Sequence, residues 1–301
     1  MAKEAAATDS LFEEHRSATA TPRARTWRRF RRHKMALAGA AFILLVVSLA
    51  ALAPVITPHS PTDMQEGRAR DAPTTEHLLG LDGAARDIWA RLLYGGRVSL
   101  SVGIVAVSIS VLIALILGTL SGYYGGTVDM IIMRFTDVMM VFPGLILIMT
   151  VVAVLGPNIW NVMAVIGLLG WPSSARLVRG QILSVREWDF VMAARCLGVE
   201  DQRIMFRHIL PHVLAPLLVA ATFGVASAIL TEAGLSFLGL GVLPPTPSWG
   251  NMLTGAQSIY ILERFWWMWL PPGIAILFTV LAINFVGDGL RDAFDPRMTL
   301  D

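Results

Sequence analysis

Six stretches of this sequence are apolar and contain no Asp, Glu, Lys or Arg. An uncharged apolar run of about 18 residues or more can cross the roughly 30 Å hydrocarbon core of a bilayer as an α-helix. Charged residues make up only 15% of the chain, whereas about a quarter is usual in soluble domains. The sequence therefore predicts an all-α integral membrane protein with six transmembrane helices. The predicted spans are 35–57, 98–120, 138–155, 159–175, 213–231 and 266–287.

Prolines break several of the predicted spans. Pro143-Gly144 interrupts the third, Pro172 lies near the end of the fourth, and Pro216 lies early in the fifth. Membrane helices tolerate such breaks where neighbouring helices satisfy the freed backbone groups. The breaks in the third and fifth spans are therefore either simple kinks or bends around a path across the membrane, and the sequence leaves both interpretations open.

The distribution of basic residues predicts which segments face the cytoplasm. With a cytoplasmic N-terminus, the cytoplasmic segments contain 18 of the 24 Lys and Arg residues and the opposite segments contain 6. This excess agrees with the positive-inside rule. Cleavage of the first apolar run as a signal peptide is the weaker interpretation, because the run is long and Pro54 would directly follow the cleavage site.

The predicted spans and the distribution of basic residues together divide the chain into four parts. The N-terminal tail is predicted to be disordered up to about residue 24, and its basic end suits an anionic lipid surface. The four parts are a cytoplasmic tail at 1–34, a first helix with a long outer loop at 35–97, a core of five helices at 98–290 with a cytoplasmic loop at 177–212, and a cytoplasmic tail at 291–301.

The predicted spans lack ionisable groups, since His212 and Glu232 lie only at the edges of the fifth. Ion-coupled transporters usually carry such groups inside the bilayer, where they bind or relay the ion. The sequence also lacks the G-x-x-x-x-G-K-[ST] phosphate loop and the H-E-x-x-H and G-x-S-x-G motifs. We therefore predict a non-catalytic chain without a metal site or a bound cofactor, moved by another polypeptide.

Two compositional features exclude further classes. The net charge of +2 gives no support for nucleic-acid binding. Cys196 is the single cysteine, so the chain cannot form an internal disulfide. We predict Cys196 to be a small buried residue.

The pattern of the cytoplasmic loop at 177–212 predicts two short helices with a turn between them, the first at about 187–197. Acidic Glu187 and Asp189 favour a helix start, and Gly198 suits the left-handed residue that often ends a helix. A second helix follows to about residue 209, and Pro211 then marks the beginning of the fifth span. The first helix either inserts its small residues into a groove of another protein or lies on the membrane surface, and both interpretations remain open.

This loop resembles the Glu-Ala-Ala signature of permease subunits in bacterial ABC importers. The match consists of Met192-Ala193-Ala194, Gly198 and His208-Ile209-Leu210-Pro211, with Met192 where Glu is typical. Further segments are similar to the dipeptide, oligopeptide and nickel branch, so that the resemblance covers roughly residues 28–297. They are LGLDGAARDIWARLLYGGRVSL, GYYGG, MRFTDVMMVFPGL, GWPSSARLVRGQIL, EAGLSFLGLGVLPPTPSWGNML and NFVGDGLRDAFDPR.

The resemblance implies a type I ABC importer permease fold in the cytoplasmic membrane of a bacterium or archaeon. It also implies a C-type subunit that pairs with a B-type permease and binds two cytoplasmic ATPases, which carry the ATP and Mg²⁺. An extracytoplasmic binding protein delivers the solute. The peptide branch makes peptides the expected solute, and nickel, glutathione or an oligosaccharide are the alternatives.

We expect three groups of site residues, of which the first follows from this resemblance and the third from a loop that is apolar yet broken by prolines, with an ordinary external connection as the alternative for that loop. For ATPase coupling we expect Glu187, Asp189, Phe190, Met192, Ala193, Ala194, Arg195, Gly198, Leu210 and Pro211. For the solute path we expect Gly144, Asn158 and Asn161. For an outer-gate loop we expect Gly239, Gly241, Pro244, Pro245 and Trp249, with Trp249 also grouped with Trp266, Trp267 and Trp269 as an interfacial aromatic belt.

Two other classes compete with this interpretation. One is an ion-coupled carrier or channel that works alone, which the lack of charge in the spans disfavours. The other is a membrane-embedded enzyme, for which the spans offer no Ser/His or Asp/Asp arrangement. Transport by the isolated chain in liposomes would identify a carrier.

Overall fold

The computed structural model describes residues 22–65 and 68–294, without the side chains of residues 22–25. Most of the predicted disordered tail lies outside this part of the chain. The described residues form helices and no strand. In chain order the helices are α1 (Pro22–Arg32), α2 (Lys34–Ala51), α3 (Ala53–Ile56), α4 (Ile88–Tyr124), α5 (Gly126–Val141), α6 (Gly144–Leu155), α7 (Ile159–Gly170), α8 (Pro172–Val185), α9 (Asp189–Cys196), α10 (Asp201–Arg203), α11 (Leu210–Phe237), α12 (Trp249–Met252), α13 (Ile259–Arg264) and α14 (Trp266–Phe294).

Among the described residues, 4 helices are long and apolar enough to cross a membrane. They are α2, α4, α14 and the continuous segment Asp201–Phe237, which contains α11. The pair α5 and α6 adds a fifth if a bent pair counts as one span. The fourth predicted span is divided between α7 and α8 at Trp171, where Pro172 begins the new helix. The count of six spans therefore stays a prediction.

The break at Pro143 is a sharp bend. Helices α5 and α6 meet at 86°, with Phe142 extended and Pro143 as the residue before α6. Proline lacks an N–H and disfavours helical geometry in the residue before it, so the chain changes direction here. Of the two interpretations of this break, the structure favours the redirected backbone over a small kink.

Helix α4 lies at the centre of the bundle and packs against α7, α8 and α11, while α14 packs against α2 and α11. The outside of the bundle keeps many large apolar side chains exposed, including Leu44 on α2 and Ile104 on α4. An apolar surface of this extent is unfavourable in water and suits lipid or another membrane subunit. Its distribution supports a chain that is embedded in a bilayer.

The two ends of the bundle differ. At one end Phe30 of α1 packs near Gly289 of α14, and a groove there brings together Trp188, His212 and Phe294. We call this end the α9 side. At the other end the segments 57–87 and 238–265 meet, and we call it the long-loop side.

Close contact between α4 and α8 depends on small residues. A Cβ atom at Gly118 would lie 2.7 Å from the carbonyl oxygen of Ala175 and 2.7 Å from the Cβ of Val178. Such separations are below van der Waals contact, so only glycine permits this approach. Small residues commonly allow membrane helices to approach each other in this way.

We expect Gly118→Ala to destabilise the bundle by about 2 kcal/mol, because the added methyl group separates two backbones that cannot repack. The measurement is the thermal unfolding midpoint of the purified chain in detergent. Gly180→Ala in α8 is the matched control, because nothing lies within 4 Å of a Cβ atom there. If Gly118→Ala unfolds at or above the temperature of the control, the tight contact does not exist.

Candidate functional site

Helix α9 spans Asp189–Cys196, two residues shorter at its start and one at its end than the predicted 187–197. Trp188, the residue before the helix, has an extended backbone. Asp189 places an acidic side chain in the first turn, where its negative charge interacts favourably with the positive end of the helix dipole. Gly198 follows with φ +74°, the left-handed conformation that the sequence predicts for it. The local sequence signals therefore fix this helix closely.

Helix α9 is anchored by two of its residues. Val191 and Ala194 are buried and share an apolar cluster with Ile204, Met205 and residues of α4, α8 and α11. The segment Ile204–Ile209 is π-helical and runs directly into α11. Helix α9 therefore packs directly against the segment that continues into α11.

The sequence predicts a second helix that ends near residue 209, and this prediction is wrong. The segment Asp201–Phe237 is continuous. Pro211 lies in the first turn of α11, and the N–H of Leu210 bonds to the carbonyl of Met205 across the wider π-helical turn. The widening accommodates the proline that would otherwise end the helix.

Four exposed residues point away from the buried side of α9. They are Asp189, Met192, Ala193 and Cys196, which we call the α9 outer face. The sequence predicts a buried Cys196, and the structure corrects this because the thiol is exposed. Among the predicted coupling residues, Ala193 is exposed whereas Ala194 faces inward.

The remaining predicted coupling residues surround this face. Phe190 is 40% exposed, and its ring packs against Trp188 and His212 at centroid distances of 5.8 and 5.5 Å. Glu187 pairs with Arg186 at 2.9 Å. The ring of Phe190 is therefore partly covered by His212 of α11, and it offers less accessible surface to a partner than the α9 outer face does.

The loop is also tied to the end of α4. The hydroxyl of Tyr123 donates to Asp201 Oδ1 at 2.6 Å, and the guanidinium of Arg195 lies over the Tyr123 ring at 5.5 Å from its centroid. Arg186 donates to the carbonyl of Gly122 at 2.9 Å. The sequence does not predict the contact between Tyr123 and Asp201, since no short-range pattern links positions so far apart.

A cavity of about 420 Å³ lies among α4, the α5–α6 bend, the α7–α8 break and α11. Of the three residues predicted for the solute path, Gly144 lines this cavity, whereas Asn158 and Asn161 do not. Asn158 caps α7 by accepting from the N–H of Trp160, and Asn161 donates to the carbonyls of Leu155 and Gly156. The polar side chains of the wall are Ser110, Ser173, Ser174, Ser227 and Thr231.

Ion pairs join α5 to α8 beside this cavity. Arg179 donates from two nitrogens to both carboxylate oxygens of Asp129 at 2.5 Å, and Arg176 pairs with Asp137 at 2.5 Å. The hydrogen bond from Arg179 to Asp129 raises the pKa of the guanidinium above its ordinary value. The half of the bent pair that precedes Pro143 is thus held to α8 by charge as well as by packing.

The predicted outer-gate loop lies on the long-loop side. Gly239 ends α11 with φ +82°, and a Cβ atom at Gly241 would overlap Ser236. The bond Pro244-Pro245 is cis. Trp249 is 2% exposed, and its indole donates to the carbonyl of Leu92 at 2.9 Å, so its predicted place in an interfacial belt is wrong.

Glu232 connects this loop to two helices. The sequence predicts it at the edge of a span, but it lies within α11 and is fully buried. Ser99 of α4 donates to its Oε2 at 3.0 Å, and Ser236 donates to its Oε1 at 2.7 Å. Ser99 Oγ also accepts from the N–H of Trp249 at 3.2 Å. The structure therefore places a buried ionisable group inside a helix of the bundle, where the sequence predicts it only at the edge of a span.

Comparison with known proteins agrees with this architecture. Residues 114–300 match the family model described as binding-protein-dependent transport system inner membrane component. Residues 21–73 match the model described as the N-terminal TM domain of oligopeptide transport permease C.

Named relatives cover nearly the whole chain. A peptide permease protein of Brucella ovis is 44% identical over 284 residues, 94% of each chain. The dipeptide transport system permease protein DppC of Alkalihalophilus pseudofirmus is 40% identical over 278 residues, 92% of this chain and 91% of that one. The glutathione transport system permease protein GsiD of Pectobacterium atrosepticum is 41% identical over 279 residues, 92% of each.

A solved structure shares the fold. The inward facing MetNI methionine ABC transporter matches 69% of this chain and 98% of its own, with a TM-score of 0.56 and 19% identity. The fold is therefore that of a type I ABC importer permease. The chain belongs to the family of binding-protein-dependent transport system inner membrane components, the non-catalytic membrane permease subunits of ABC importers.

Proposed function

We propose that this chain is the C-type permease subunit of an ATP-driven peptide importer and forms half of its translocation pathway. Its relatives named for peptide or dipeptide transport support the solute class. A B-type permease supplies the other half of the pathway, and an extracytoplasmic binding protein delivers the peptide. Two cytoplasmic ATPases hold the ATP and Mg²⁺, since the sequence has no phosphate-binding loop.

The single observation that carries this proposal is that α9 has one buried face and one exposed face. Its inner face is fixed to α11 through Val191 and Ala194, while the α9 outer face is exposed. A short exposed helix with a small residue at its centre can enter a groove of a partner protein. The ATPases grip this face, and their closure moves α9 and α11 as one body.

The movement reaches the cavity through two routes. One route is the continuous helix Asp201–Phe237, and the other is the hydrogen bond from Tyr123 of α4 to Asp201. Both α4 and α11 line the cavity near the α5–α6 bend. Nucleotide binding thereby biases a two-state helix bundle between its inward-facing and outward-facing forms.

The cavity wall supports a peptide solute. Its side chains are apolar or carry hydroxyl groups, and none of the lining residues is ionisable. A neutral wall admits peptides of different sequence, because it does not select one charge pattern. Glutathione is the alternative that a named relative favours, and uptake of labelled dipeptide in competition with glutathione distinguishes the two.

Labelling of the native thiol tests the coupling surface. Cys196 is the only cysteine of the chain and lies on the α9 outer face, so the wild-type protein needs no background substitution. We expect a membrane-impermeant maleimide to label it from the cytoplasmic side of membrane vesicles. Assembly with the ATPases is expected to lower the labelling rate at least tenfold, because a buried thiol is inaccessible.

The control for this labelling experiment is a variant whose single thiol lies on the long-loop side. In Cys196→Ser/Thr75→Cys the new cysteine lies in an exposed part of the 57–87 loop. Its labelling is expected from the outer side only and without protection by the ATPases. Labelling of Cys196 from the outer side, or equal rates with and without ATPases, would refute the proposed orientation and docking.

A further inference from the structure

Three potential metal ligands meet on the long-loop side, away from the cavity and from α9. His59, His77 and Asp87 each offer a ligand atom, and these atoms lie within 4.8 Å of one another. His77 is fully buried and Asp87 is 4% exposed. The rings of His59 and His77 lie 4.7 Å apart at their centroids. Two imidazoles and a carboxylate are a donor set that zinc-class ions prefer in proteins.

His59 and Asp87 are each held by a hydrogen bond through one atom, which leaves a second atom of each side chain available to bind an ion. The carbonyl oxygen of Glu76 lies 3.1 Å from Nε2 of His59. A carbonyl can only accept, so Nε2 carries the proton and Nδ1 keeps its lone pair. Asp87 accepts from the N–H of Ala90 through Oδ1 at 2.6 Å, which leaves Oδ2 for the cluster. Protein metal ligands are usually fixed by such supporting hydrogen bonds.

The hydrogen bonds of His77 need a cation between it and Asp87. Arg68 donates to Oε1 of Gln65 at 3.1 Å, which identifies this atom as the amide oxygen. The same oxygen lies 3.2 Å from Nε2 of His77, so this nitrogen donates. Nδ1 of a neutral His77 then has a lone pair, and it faces Asp87 Oδ2 at 2.8 Å. Two acceptors at this distance require a bridging proton, and a metal ion can take the place of that proton if the two atoms move slightly apart.

We propose that His59, His77 and Asp87 bind one divalent transition-metal ion of the zinc class. Two imidazole nitrogens and one carboxylate oxygen bind the ion, and water fills the fourth position of a tetrahedral site. Small movements of the side chains suffice, because the ligand atoms are already adjacent. The proton that otherwise joins His77 to Asp87 is released when the ion binds.

The positions of the ligands in the sequence suggest what the ion does. His59 lies at the beginning of the 57–87 loop, His77 in its later part, and Asp87 at its end, where it caps α4. The ion joins all three and fixes the loop to the first turn of α4. Arg91 of the same turn donates to the carbonyls of Pro61 and Pro245 at 3.2 and 3.5 Å, so the site also steadies the contact with the predicted outer-gate loop.

Metal binding by the purified full-length chain tests this proposal. The protein is prepared with an affinity tag that contains no histidine, stripped with a chelator and dialysed against Zn²⁺, and bound zinc is measured by mass spectrometry. We expect one zinc ion per chain and a zinc-dependent rise in the unfolding temperature, since an ion that binds only the folded state stabilises it. With Co²⁺ in its place, we expect the intense visible absorption of a tetrahedral complex.

His59→Ala removes a partly exposed ligand and leaves the cap of α4 intact. We expect it to weaken zinc binding at least tenfold, as even supporting residues of metal sites contribute about 10–100-fold, and to abolish the zinc-dependent stabilisation. Two control variants are expected to bind zinc as the wild type does: His208→Ala, which removes a partly buried histidine on the α9 side, and Cys196→Ser. Failure of the wild type to retain zinc, which would leave a proton between His77 and Asp87, or equal binding by His59→Ala, would overturn the proposal.

Discussion

Replacing Glu232 by alanine is expected to destabilise the long-loop side of the bundle by about 3 kcal/mol. The carboxyl group is fully buried and accepts from Ser99 and Ser236, so its removal leaves two buried hydroxyls without this partner and opens a cavity. Unsatisfied buried groups cost about 1–3 kcal/mol, and large-to-small core substitutions cost about 2–5 kcal/mol. The measurement is thermal unfolding of the purified chain in detergent.

Glu232→Gln is the matched control because it keeps the size of the side chain and its acceptor oxygen. We expect it to lose less than half of the stability that Glu232→Ala loses. Tryptophan fluorescence of the whole chain is a second readout, since Ser99 also accepts from the N–H of Trp249, and it is expected to shift to the red only in the alanine variant. An alanine variant as stable as wild type would show that the hydroxyl groups find other partners and that Glu232 does not join the loop to α4 and α11.

Ala193→Arg is expected to lower ATP-driven uptake by the assembled transporter at least tenfold. Ala193 lies at the centre of the α9 outer face, where an arginine side chain would keep the helix out of a close-fitting groove. Because the position is exposed, the stability of the isolated chain should change by no more than about 0.5 kcal/mol. The measurements are peptide uptake and ATPase co-purification, with the unfolding temperature of the isolated chain.

Two controls define the cause of that loss. Ala193→Ser keeps the small volume and is expected to retain uptake. Ala194→Arg places a charge in the buried cluster under α9 and is expected to lower the unfolding temperature itself, which separates damage to the fold from loss of docking. Full uptake by Ala193→Arg would contradict the proposed coupling surface. Uptake against a gradient by the chain alone would instead support a stand-alone carrier.

Local signals predicted the elements of the coupling loop well. Asp189 and Gly198 mark the two ends of α9, and the structure places the helix within one or two residues of the predicted bounds. The same signals failed at Pro211, where a π-helical turn lets the chain continue. Which alanine faces outward was also beyond the sequence, because it depends on the packing of Val191 against the start of α11.

The burial of single residues was the main error of the sequence-based predictions. Trp249 matched the pattern of an interfacial tryptophan, yet a hydrogen bond to Leu92 and the contact with α4 bury it. Cys196 is exposed because the turn of α9 on which it lies faces away from the bundle. In both cases the residue type suggested the wrong degree of burial, because the orientation of the helix decides whether a side chain faces the bundle or the outside.

The sequence by itself determined that this chain enters a membrane, since run length and missing charge are properties of neighbouring residues that no distant contact changes. It also determined the position of α9 and an interruption at Pro143, whereas the sharpness of that bend came from the structure. Only the tertiary structure decided what lies together: Glu232 with Ser99, Tyr123 with Asp201, and His59 with His77 and Asp87. These groups come from separate helices and from both ends of a long loop, and the path of the backbone between them is set by packing rather than by local sequence.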